Sequence, residues 1–76
     1  MPRNLNNWTY REVVDVLKEH GFILNYTRGS HYYFIGHAAE TLRQVCVPYH
    51  GSLAIKPRTM KAIMLQSGIS KEKWMK

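Results

Sequence analysis

The sequence predicts an α+β domain in the order αβββα, with a three-stranded antiparallel sheet and both helices on one face. Three observations predict it. A helix-capping pattern opens an apolar stripe over residues 9–20. Three strand-like runs follow, divided by glycine-containing turns. A stretch that starts at a proline and stops at a glycine then supplies a second helix.

Met1 to Asn7 reads as a polar lead-in. Thr9 and Glu12 fit the two ends of a capping box, and Trp8 and Val13 fit the hydrophobic staple around it. Tyr10, Val13, Val14 and Leu17 recur at helical spacing, and Gly21 suits the left-handed stop. Phe22 to Arg28 has strand character. Gly29-Ser30 suits a two-residue type II′ turn, and His31 to Ile35 returns as a second strand. That turn would set Arg28 directly opposite His31, on the same face. Gly36 to Ala39 reads as a second turn, Thr41 to Val47 as a third strand, and Pro48 to Ile55 as a loop. Pro57 can open the second helix, with Met60, Ile63, Met64 and Leu65 as its apolar stripe and Gly68 as its stop. Ser70 can cap a last short turn that holds Trp74. Which face of the 22–35 hairpin is buried stays open, because both faces carry apolar residues. The layout resembles a double-stranded-RNA-binding domain, a likeness of fold that does not by itself give function.

With 76 residues there is room for one domain, burying roughly 60% of its unfolded surface. An active site on so small a body should be shallow. Eleven Lys and Arg against five Asp and Glu leave a net charge of +6, which attracts RNA, DNA, anionic membranes or acidic proteins. Cys46 is the single cysteine, so no disulfide can form within the chain, which suits a reducing compartment. No apolar run approaches the roughly 20 residues of a membrane span, and no secretory leader follows Met1, so a cytoplasmic location is expected. Nucleophile-elbow, Walker and Rossmann patterns are absent, which sets those enzyme classes aside.

His31 is the candidate catalytic residue. Histidine exchanges protons near neutral pH, and RNA carries its own nucleophile in the 2′-hydroxyl. Cleavage then needs a base near that hydroxyl, an acid near the leaving 5′-oxygen and positive charge on the phosphate. The bland alternative is a solvent-facing residue beside a hairpin turn. His50 is either a second acid–base group, a phosphate contact or a loop-packing residue. Arg28, Ser30, Lys56, Arg58 and Lys61 are the other candidate RNA contacts. The last three surround the start of the second helix, where the dipole favours an anion, or they form a solvated basic end. Tyr26, Tyr32, Tyr33 and Tyr49 are either base-stacking or structural. His20 suits a helix C-terminal contact and His37 a solvated turn. Neither the histidines nor the lone thiol have metal-ligand spacing, so no metal and no cofactor are expected.

Gly21-Phe22, Gly29-Ser30-His31, Val47-Pro48-Tyr49-His50-Gly51 and Gly68-Ile69-Ser70, in that order, resemble the HicA (YcfA-like) toxin family over about residues 9–76. The resemblance implies the toxin of a type II toxin–antitoxin system with a double-stranded-RNA-binding-like fold. It implies an mRNA-cleaving endoribonuclease whose catalytic histidine, after the Gly-Ser pair, is His31. It also implies a HicB-like antitoxin as partner: monomer alone, hetero-oligomer with the antitoxin. Two departures stand out. Many members carry a second histidine where this chain has Tyr32, and many carry glycine where Pro57-Arg58 precede Thr59. A non-catalytic RNA-binding module is the rival reading. A DNA-binding regulator is weaker, because no helix-turn-helix is visible.

Overall fold

The structure, a computed structural model, describes residues 7–38, 40–51 and 53–74. Its elements are β1 (Trp8–Thr9), α1 (Tyr10–Glu19), β2 (Ile23–Arg28), β3 (His31–Ala38), β4 (Thr41–Pro48), β5 (Ala54–Ile55), α2 (Pro57–Ser67) and α3 (Lys71–Trp74). Strands β2, β3 and β4 form an antiparallel sheet in that order. The α+β class and the three-stranded sheet expected from the sequence are both present. Residues 1–6 of the polar lead-in lie outside the described residues.

The start of α1 follows the capping logic. Glu12 N–H donates to Thr9 Oγ1 (3.4 Å), and Thr9 N–H donates to Glu12 Oε1 (3.0 Å). Two N–H groups with no partner inside the helix are thereby satisfied. Val13, Val14 and Leu17 form the buried face. Past the end of the helix, Gly21 takes φ +84°, and a His20 ring nitrogen lies 2.9 Å from the Val16 carbonyl, the helix-end contact expected of it.

One core cluster is formed among the described residues. From the sheet it takes Phe34, Val45 and Val47, and from α2 it takes Met60 and Ile63. Trp8, Phe22, Ile55, Ile69 and Trp74 close its ends. Trp74 meets Trp8 edge to face, with ring centroids 5.6 Å apart. Burial of Phe34, Val45 and Val47 settles which sheet face is covered. Tyr32, Phe34 and Gly36 point inward, while His31, Tyr33, Ile35 and His37 alternate to the outer face.

Several boundaries differ from the sequence reading. Strand β3 runs through Gly36, His37 and Ala38, which pair with Arg43, Leu42 and Thr41. The second turn therefore falls after Ala38, with Glu40 at φ +65°; Ala39 lies outside the described residues. Gly36 is glycine for a reason other than turning. A Cβ there would meet the Phe22 ring at 2.6 Å. Gly36→Ala is therefore expected to cost about 1–3 kcal/mol by overpacking. It should appear as a lower urea midpoint with an unchanged slope.

The 48–55 segment is not all loop. Pro48 ends β4, and Ala54–Ile55 pairs with Trp8–Thr9 as a separate two-stranded ribbon. Leu65 is not on the α2 stripe: it is 70% exposed, while Met60 and Ile63 are buried and Met64 packs against them. Pro57 and Gly68 do bound α2, and Gly68 has φ +70°. Helix α2 lies along β4, whose Cys46 N–H donates to Gln66 Oε1 at 3.1 Å. A side chain thus satisfies a backbone donor that a sheet edge would otherwise leave open.

Candidate active site

The site begins with the turn between β2 and β3. Gly29 has φ +59°, and Ser30 is not in the positive-φ region. That combination fits a type II′ turn and excludes type I′, which needs both central residues at positive φ. The turn matches the twist of the hairpin and pairs Arg28 with His31. Both side chains are exposed and project from the outer face of the sheet. On its other side His31 pairs with Pro48, the last residue of β4.

A second strut holds the following loop. Tyr49 N–H donates to the Ser30 carbonyl at 2.8 Å, tying the hairpin turn to the segment after β4. The Tyr49 ring lies edge-on to Tyr10 of α1, with centroids 4.9 Å apart, and Tyr10 meets Tyr32 at 5.2 Å. Burial, followed by the neighbouring Tyr32 and Tyr49 phenols, pushes the Tyr10 hydroxyl above its ordinary pKa. This cluster anchors Tyr49 and so places the next residue, His50. Gly51 (φ +63°) then lets the chain turn back, and Leu53 N–H donates to the His50 carbonyl at 3.2 Å.

The result is an open groove of about 660 Å³ between the outer sheet face and α2. His31, Cys46, His50 and Lys56 line it, together with Thr59 and Gln66 of α2. Lys56 is the N-cap of α2, and no side chain caps that helix start. Two histidines and a lysine therefore border one solvent-open space, next to the positive end of a helix. Such a set can move protons and hold an oxyanion or a phosphate.

Of the residues singled out from the sequence, His31, His50 and Lys56 come together in the groove. Arg28 flanks it across the hairpin, and Ser30 contributes its carbonyl to the strut. Arg58 and Lys61 are exposed but do not line the groove. At 3.6 residues per turn, Lys56, Thr59, Ile63 and Gln66 share a face of α2 that excludes positions 58 and 61. That same periodicity could have picked out Thr59 and Gln66. Cys46 and Pro48 follow from the alternation of β4 once the buried face is known. Among the described residues, no group of three or more His, Cys, Asp or Glu side chains could hold a metal ion.

Fold and site define a small cationic α+β domain that displays histidines on an open sheet surface. Residues 10–69 match the family model described as the HicA toxin of bacterial toxin–antitoxin systems. The chain belongs to the HicA toxin family, as the ordered motifs suggested, and is the toxin member of a toxin–antitoxin pair. An antitoxin is thereby implied as its partner. No curated protein and no solved structure matches the chain. No helix among the described residues is long and apolar enough to cross a membrane.

Proposed function

We propose that this toxin is a metal-independent endoribonuclease that cleaves mRNA at the His31 groove and is neutralised by a HicB-like antitoxin covering that groove. The observation that carries the reading is the meeting of His31, His50 and Lys56 around one open groove on a chain of net charge +6. In the reaction the RNA 2′-oxygen attacks the adjacent phosphorus, and the P–O5′ bond breaks. The products are a 2′,3′-cyclic phosphate and a free 5′-hydroxyl. One proton leaves the 2′-hydroxyl and one arrives at O5′. His31 carries out one of these transfers, and we assign the other to His50, which lines the same groove. Lys56 and Arg28 offset the charge on the phosphate.

The proposal is tested with an oligoribonucleotide and its copy carrying a single 2′-deoxyribose at the cleaved position. The ribose substrate should be cut at the same rate with or without EDTA, and the deoxy copy should resist. Cleavage of the deoxy copy would mean that the nucleophile is not the 2′-oxygen. Strong inhibition by EDTA would mean that a metal does the work assigned to the histidines.

A further inference from the structure

The groove accounts for His31, His50 and Lys56, but not for what lies beside them on the outer sheet face. The row next to the Arg28–His31 pair is Tyr26–Tyr33. These two rings are stacked, with centroids 4.5 Å apart and planes 11° from parallel. Tyr26 is 43% exposed on the sheet's edge strand. A ring in a two-membered stack has one face covered by its partner, and β2 has no strand on its far side, so the other face of Tyr26 is open to a ligand. Tyr33 is linked to the groove wall. Its phenol is raised above its ordinary pKa, first by the hydrogen bond with the Cys46 side chain, while Arg28 pulls the other way.

We infer that the Tyr26–Tyr33 stack is a nucleobase platform, on which a base of single-stranded RNA next to the cleaved phosphate extends the stack from the open face of Tyr26. This deepens the endoribonuclease reading and rests on it. Three features favour a base over other occupants. Parallel rings at stacking distance offer the same planar surface that a base presents, and every base has a face to stack. Successive same-face rows are about 6.7 Å apart along a strand, so one nucleotide can touch both the tyrosines and the Arg28–His31 row. Finally, the outer face presents Ile23, Tyr26 and Arg28, then His31, Tyr33, Ile35 and His37, with Leu42, Gln44 and Cys46 beyond, and no carboxylate. An anionic backbone meets no repulsion there. A stack reads shape more than hydrogen bonds. It should set affinity and the position of the chain over His31, with only a modest preference among bases.

The test uses His31→Ala as the parent, so that RNA survives during binding. Fluorescence anisotropy measures its affinity for a short single-stranded oligoribonucleotide and for a set of copies with one abasic site each. In the parent, one abasic position should weaken binding by roughly 5- to 150-fold, the range for loss of one base–aromatic stack. Adding Tyr26→Leu, which keeps apolar bulk and loses the ring, should weaken binding of the intact RNA by a similar factor. It should also remove the penalty at that abasic position. Adding Tyr26→Trp should preserve binding or tighten it. Unchanged affinity in Tyr26→Leu, or an abasic penalty that survives it, overturns the platform while leaving the nuclease reading standing. A parent that binds no RNA overturns both. If Tyr26→Leu weakens binding of the antitoxin and not of RNA, the face belongs to a protein partner and the inference fails.

Discussion

Changing His31 to Ala is expected to abolish RNA cleavage and the growth arrest that follows from it, while the domain stays folded. The size of the effect follows from the chemistry. A positioned acid or base contributes about 10²- to 10⁴-fold, and this groove has no carboxylate among its lining residues to take over. The fold should be indifferent, because His31 is exposed and contributes nothing to the core. Thermal melting of the variant should therefore track the wild type within a degree or two, while product formation falls by at least 100-fold. Cleavage at a similar rate would sink the mechanism. Undiminished RNA binding with no cleavage by either protein would favour a binding module instead. His50→Ala is the informative companion. A loss comparable to that of His31→Ala would place both histidines in proton transfer, whereas a change confined to KM would place His50 on the phosphate.

The largest effect on stability is expected at the other end of the molecule. Trp74 is 1% exposed and packs edge-on against Trp8, although it sits on a helix of only four residues. Truncating a buried tryptophan to alanine costs about 3–5 kcal/mol. A domain of this length has roughly 4–11 kcal/mol of stability in total. Trp74→Ala should therefore leave the chain partly unfolded at physiological temperature. With about 4–8 °C lost per kcal/mol in a domain of this size, the melting point should fall by tens of degrees. The indole N–H of Trp74 is buried without a hydrogen-bond partner among the described residues, and an unsatisfied buried donor is itself unfavourable. Trp74→Phe removes that donor and keeps most of the apolar contact, so it should melt much closer to wild type than Trp74→Ala. Equal melting of Trp74→Ala and wild type would show that α3 does not hold the core closed.

Local signals were legible in the sequence where the physics is local. The Thr9/Glu12 box, the Gly29-Ser30 turn and the Pro57 and Gly68 bounds each depend on a few neighbouring residues, and each lies where its chemistry requires. Gly36 shows the limit. A glycine demanded by the approach of the Phe22 ring looks the same in sequence as one demanded by a turn. The β1–β5 ribbon was not legible, because strands of two residues have no periodicity and pair across 45 positions of sequence. The site divides in the same way. His31 and Arg28 could be placed opposite each other from the turn alone. The convergence of His50 and Lys56 on His31 could not, because it depends on the Tyr10–Tyr49 contact and on how α2 lies along β4. Arg58 and Lys61 looked equivalent to Lys56 by charge, and only the rotation of the helix separates them.

The hydrogen bond from Tyr49 N–H to the Ser30 carbonyl has a practical consequence for anyone following this toxin in solution. It extends the β3–β4 ladder by one bond beyond the His31–Pro48 pair, and it does so through backbone atoms that side-chain substitution leaves in place. Slow hydrogen exchange at the Tyr49 amide therefore reports that the β3–β4 ladder is closed to its very end, where the two histidine-bearing segments meet. One amide signal can thus distinguish a variant that has lost its chemistry from one that has lost the geometry on which the chemistry depends.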